Sequence, residues 1–145
     1  MIGVILSLLF VGYEIRQNTK MIQGATIQAI SDQSIAGVHS GAADSEWVRI
    51  LSFIDQGGTF EELGPEDKMR FNMRASATAR MMENRWRQTQ LGVLDESGLE
   101  VGTGIRNTGW YQSDHFKAYW EHYDMHNSMD PEFVEFMETE VMRIR

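Results

Sequence analysis

Hydrophobic positions along this chain recur at helical spacing almost throughout, and no stretch alternates with the period of two that marks a strand. The first run stands apart. Met1–Tyr13 carries no charge, and Ile2, Val4, Ile5, Leu6, Leu8, Leu9, Phe10 and Val11 cover every face of a helix. Apolar residues continue at helical spacing through Ile15, Ile22, Ala25, Ile27, Ala29 and Ile30, and more weakly through Ile35 and Val38. Gln17, Asn18, Lys20, Gln23, Gln28 and Asp32 supply a polar face. The pattern predicts one long helix from about Ile2 to Val38, ended by Gly37, Gly41 and the small residues around them.

Four more elements follow. Asp44 or Ser45 caps a short second helix with Trp47, Val48, Ile50, Leu51 and Ile54 apolar, and Gly57-Gly58 stops it. Leu63-Gly64-Pro65-Glu66-Asp67 opens a third, with proline suited to the first turn and two acids at the positive end of the helix dipole. It reaches about Gln90, with Met69, Met73, Ala77 and Met81 in one row and Ala75, Ala79, Met82 and Trp86 in the next. Glycines 98, 102, 104 and 109 predict a broken helix, since each interior glycine costs roughly 0.8–1 kcal/mol. Ser113 or Asp114 caps Phe116 to Tyr123, and Asp130-Pro131-Glu132 caps a last helix with Phe133, Val134, Met137, Val141 and Ile144 as its stripe. The fold class is all-α, a bundle of about five helices with a long N-terminal helix.

That first helix is the main guide to location. An apolar run of 13 residues spans about 20 Å, short of the roughly 30 Å of a hydrocarbon core. A signal peptide would carry a basic start and a small-residue cleavage site, and neither is present. All-round hydrophobicity suits lipid better than a small core. Residues 1–14 therefore read as a membrane anchor whose upstream part is missing, and 15–145 as the helical bundle. Arg16 and Lys20 directly follow the run, so the positive-inside rule predicts a single-pass protein of a bacterial inner membrane with a cytoplasmic body. A core or interface helix in a soluble oligomer is the competing reading.

Composition narrows the classes. The chain has 145 residues and a hydrophobic fraction of 42%, ordinary for one folded domain. No cysteine is present, which removes disulfides, thiolate metal sites and cysteine nucleophiles. A net charge of −8 argues against nucleic acid as a partner, because phosphate contacts need clustered Lys and Arg. The charge is also uneven. Residues 65–90 hold Lys68 and five arginines against Glu66, Asp67 and Glu83, whereas residues 121–140 hold seven acids and no Lys or Arg. The third helix and the C-terminal region are therefore expected to be neighbours.

Candidate chemistry is sparse. His115, His122 and His126 share one side of an unbroken helix; His122 and His126, four apart, could bind one metal ion, with Asp124, Asp114 or Glu83 completing a tetrahedral shell. The HExxH order is absent, and solvated or capping histidines are the plainer reading. Glu83 lies among Arg80, Arg85 and Arg87. It reads as an ordinary i, i+4 surface pair with Arg87, against a buried ion pair or an anion site. No phosphate loop, serine elbow or cofactor motif occurs, so the sequence gives no positive case for an enzyme. Trp86, Trp110, Tyr111, Phe116, Tyr119 and Trp120 are expected to line the core or a pocket.

Leu9-Phe10-Val11-Gly12-Tyr13-Glu14-Ile15-Arg16-Gln17-Asn18-Thr19 resembles the junction of a broad group of uncharacterised bacterial and metagenomic membrane-anchored proteins. In these an apolar N-terminal helix is followed by (V/L)G-x-(Q/E)-I-R-Q-N-T and a helical body. Leu63-Gly64-Pro65-Glu66-Asp67, Leu91-Gly92-Val93-Leu94-Asp95-Glu96 and Asp130-Pro131-Glu132-Phe133-Val134 match as well, while the glycine-rich stretch Gly98 to Gly109 departs from the group's more helical middle. The resemblance implies a membrane segment usually longer than this one, and it carries no catalytic residues. The expected function is a non-enzymatic interaction or sensor module, acting through a protein partner or self-association. A small metal- or ligand-dependent enzyme using the histidines and Glu83 is the alternative.

Overall fold

The computed structural model describes residues 2–100, 109–122 and 125–144, and among them it holds helices and no strand. Helix α1 spans Ile2–Ala43, α2 Ser45–Asp55 and α3 Pro65–Gln90. A 3-10 turn at Glu96–Glu100 precedes α4, Asp114–His122, and a second at Met125–Ser128 precedes α5, Pro131–Phe136, which widens into a π-helical turn at Met137–Val141. The all-α bundle expected from periodicity is the observed architecture.

Helix α3 is the axis on which the rest packs. Its Phe71, Ala75, Ala79 and Met82 are wholly buried, against Ile50 of α2, Phe116 and Tyr119 of α4 and Phe133 of α5. Of the two rows read from the sequence, the one through Ala75 and Trp86 faces the core. The Met69–Met73 row faces outward, with Met69 64% and Met73 69% exposed.

Helix α1 runs past its predicted end to Ala43. Gly41 is a point of close approach, not a stop: a Cβ there would lie 3.2 Å from Arg74 Nη1 and 3.4 Å from Trp47 Cδ1. The missing side chain lets α2 and α3 close on α1, which offsets the helix-propensity cost of glycine. The chain then turns at Asp44, whose carboxylate accepts the backbone N–H of Trp47 and caps α2. Gly57, with φ +92°, ends α2 in a conformation that other residues rarely adopt.

Only the later half of α1 meets the bundle, through Ile30, Ser34 and Gly41. From Gly3 to Ile22 every residue is exposed, and the large apolar side chains from Val4 to Tyr13 are 49 to 66% exposed. Among the described residues no helix is long and apolar enough to cross a membrane. Helix α1 has the length, but its uncharged stretch ends at Glu14. The uncharged end of α1 measures roughly 18 Å from Ile2 to Tyr13, so it does not by itself make the transmembrane helix of the anchor reading.

At the other end Ser113 caps α4, its hydroxyl oxygen accepting the backbone N–H of Phe116 at 3.2 Å. Asp130 caps α5 by accepting from Glu132 N–H at 3.0 Å, with Pro131 in the first turn. Asp130→Ala is expected to cost about 1 kcal/mol, read as a lowered urea midpoint with an unchanged slope.

Candidate functional site

Two polar clusters flank α3 on opposite sides, and the helical repeat separates them. Residues three and four apart share a face and residues two apart do not. Glu83 accordingly meets Arg80 and Arg87, while Arg85 points elsewhere.

Glu83 is 6% exposed, so the ordinary surface pair read from the sequence gives way to a buried acid. Its Oε2 accepts from Arg80 Nη1 at 2.8 Å, and its Oε1 accepts from Arg87 Nη2 at 3.0 Å and from the backbone N–H of Asp130 at 2.9 Å. Arg80 also donates to the backbone oxygen of Ser128 at 3.0 Å, and Arg87 lies 3.6 Å from Asp130. The basic helix and the acidic C-terminal segment are thus neighbours, joined through one carboxylate that clamps the start of α5 to α3. Desolvation pushes the Glu83 carboxyl up. The Asp130 N–H, the Arg80 hydrogen bond and the two arginine charges outweigh it, so its pKa stands below the usual value. Each of these contacts fastens the fold.

Arg85 faces α1 and is 1% exposed. Its Nη2 donates to Ser34 Oγ at 2.6 Å, and the Ser34 hydroxyl donates to the Ile30 carbonyl at 2.9 Å. Desolvation lowers the Arg85 pKa, and nearby Tyr111 opposes that shift. Six residues along α1, Arg74 Nη2 reaches Ser40 O at 3.4 Å and its guanidinium lies over Trp47, 5.1 Å from the ring centre. These pairings run α1 and α3 antiparallel.

Between them lies a groove of about 860 Å³. Its walls come from Gly37, Val38 and Gly41 of α1, Val48 and Leu51 of α2, and Met73, Ala77 and Met81 of α3, with Trp110 and Tyr111 closing it. Val38, Val48 and Met73 are 60, 43 and 69% exposed, so its rim is apolar and open. Tyr111 is 2% exposed. Its hydroxyl and Trp110 Nε1 are buried without a hydrogen-bond partner. Burial pushes the Tyr111 phenol well above its usual range, and the Arg85 charge offsets only part of that. A smaller hollow of about 420 Å³ sits at the start of α3, where Arg49 pairs with Glu46 and Asp67. Its charges already satisfy one another.

Of the histidines proposed as metal ligands, the structure describes the side chains of His115 and His122. His115 is half-buried, and its Nε2 donates to the Gly58 carbonyl at 2.7 Å, beside the Phe71 ring. His122 ends α4 on an exposed face, and the His126 side chain lies outside the described residues. The described part of α4 ends at His122, and a 3-10 turn is described at Met125–Ser128. Among the described residues no three His, Asp or Glu side chains converge as metal ligands.

Sequence reasoning missed the groove. Its one available signal was the offset of two between Glu83 and Arg85, which places them on opposite faces. The aromatic expectation stands in part: Phe116, Tyr119, Trp120 and Trp86 are core, while Trp110 and Tyr111 join core to groove. Comparison of the chain with family models, curated proteins and solved structures gives no match.

Proposed function

We propose that the chain is a membrane-anchored helical interaction or sensor module without catalytic activity, held at a bacterial inner membrane by the apolar end of α1. The observation that carries this reading is the bare stretch from Gly3 to Tyr13, apolar on all faces and packed against nothing in the bundle. Leaving that much apolar surface in water is costly, at about 25 cal/mol per Å². A lipid phase or a second protein removes the cost. Arg16 and Lys20 follow the apolar end at once, which favours a cytoplasmic body. The likeness of the Ile15-Arg16-Gln17-Asn18-Thr19 junction to membrane-anchored helical proteins supports the same reading.

Fractionation of the expressed full chain, with a carbonate wash of the membrane pellet, tests it. The chain is expected to stay in the washed pellet, and Leu8→Asp with Leu9→Asp is expected to move it to the wash. Release of the unaltered chain as a monodisperse soluble oligomer would overturn anchoring and place the apolar end of α1 between copies.

A further inference from the structure

We propose that the protein dimerises through the free stretch of α1, two copies of that helix forming a parallel coiled coil from Leu8 to Ala29. The observation that points to it is a heptad repeat on a face that the bundle leaves bare. Leu8, Ile15, Ile22 and Ala29 recur every seven residues, and Val11, Asn18 and Ala25 fall between them at alternating steps of three and four. Six of these seven residues are apolar and all seven are exposed, Ile15 at 61% and Ile22 at 60%. The bundle does not use them, since its first buried residue on α1 is Ile30.

The spacing selects a helix as the occupant. A strict seven-residue stripe drifts about 20° per heptad around a straight helix, and a partner helix follows it by winding in a left-handed supercoil. At about 100° per residue, Ile22, Ala25 and Ala29 centre roughly 130° away from Ile30 and Ser34, the residues buried against the bundle. A second helix can therefore lie along α1 without meeting its own bundle. That helix is best supplied by a second copy, because the flanks hold no charge pattern for a different partner to match. Arg16 and Lys20 fall on the outside of the repeat, and Glu14 alone stands beside the seam, facing Thr19 of the second copy.

Asn18 sets the direction. In a parallel pair it meets Asn18 of the second copy, amide to amide, whereas in an antiparallel pair it falls against isoleucine and loses its hydrogen bonds. Area agrees with a pair of this length. Covering about a third of the circumference of a helix about 33 Å long, on each copy, removes about 1,000 Å² in total. That is the size at which an interface between two proteins becomes specific. The proposal deepens the interaction-module reading by naming a second copy as the partner, and it rests on that part of the reading but not on the anchor.

The chain has no cysteine, so single cysteines introduced along α1 report position cleanly. The test scans them from Ile15 to Val38 in the full chain, in phosphatidylcholine vesicles under copper-phenanthroline oxidation. A disulfide needs Cα atoms within about 7 Å of each other. Ile15→Cys, Asn18→Cys, Ile22→Cys and Ala25→Cys should each cross-link to the same residue of the second copy about tenfold faster than Arg16→Cys and Lys20→Cys. Cross-linking at one seam position alone is the mark of an antiparallel pair and overturns the proposal. Equal rates all round the helix overturn it too, as does a maximum at Ile27, Ile35 and Val38. Ile22→Glu should raise the dimer dissociation constant about a hundredfold or more, measured by sedimentation in detergent. Its tryptophan emission should stay unchanged, because Ile22 lies outside the bundle. An Ile22→Glu chain that stays as dimeric as the natural one sinks the seam. Seam cross-links in a chain that a carbonate wash releases from the membrane would support the coiled coil and count against the anchor. Retention in the washed pellet without those cross-links would do the reverse.

Discussion

Phe116→Ala is expected to destabilise the protein by about 4 kcal/mol, the largest effect of any single substitution considered. Phe116 is completely buried. Its ring lies 5.0 Å from Tyr111 in an edge-to-face arrangement, 5.5 Å from Tyr119, 6.1 Å from Trp120 in a stack and 6.2 Å from Trp110. Truncation loses the transfer free energy of the ring, the aromatic contacts and the packing of whatever cavity remains. Against a typical domain stability of about 5–15 kcal/mol, roughly a quarter or more is lost. Phe116→Leu keeps most of the volume and should cost about 1.5 kcal/mol. Urea unfolding followed by tryptophan fluorescence measures both, and a cost under about 1 kcal/mol for alanine would mean that the ring cluster is not the keystone of the core.

Glu83→Ala is expected to cost about 2–3 kcal/mol, toward the low end for breaking a buried ion pair. Arg80 and Arg87 are 43% and 54% exposed at the side chain and can return to water, which limits the loss. The Asp130 N–H loses its acceptor outright. Glu83→Gln keeps an acceptor for that N–H and should cost about half as much. The effect also has a pH signature. The folded-state pKa of Glu83 is depressed below the ordinary 4.5, so its contribution is fully present above that value. It is lost as pH falls through the folded-state value, where the carboxylate is protonated in both states. The stability gap between the natural chain and Glu83→Gln should therefore be widest near pH 7 and close below about pH 4.5. Parallel stability curves from pH 7 to pH 3 would show that the clamp is not held by charge.

Helix starts were the most legible part of this fold, because the groups that begin a helix are local. Asp44, Pro65, Ser113 and Asp130 each occupy the position that capping rules assign. Helix ends depended on partners distant in sequence. Gly41 resembled a terminator, and only the approach of Trp47 and Arg74 shows why glycine stands inside α1. The same limit applies to the charges. Periodicity paired Glu83 with Arg87 correctly but could not tell whether that face was covered, and its cover is Asp130, 47 residues later. The groove was illegible because its parts come from three helices and from Trp110 and Tyr111. The split between the two methionine rows of α3 was hidden too, since both rows are equally apolar.

The continuity of α1 has a geometric consequence. Fourteen residues separate Arg16 from Ile30, the first buried residue of the helix, and no proline interrupts them. An unbroken helix holds such a span at about 21 Å and also fixes an angle. One residue added there would lengthen the strut by only about 1.5 Å yet swing the bundle about 100° around the axis. Seven would add about 10 Å and return it almost to its original heading. Which way the groove faces relative to the apolar end is therefore set by residue count alone: the spacer is a compass bearing as much as a ruler.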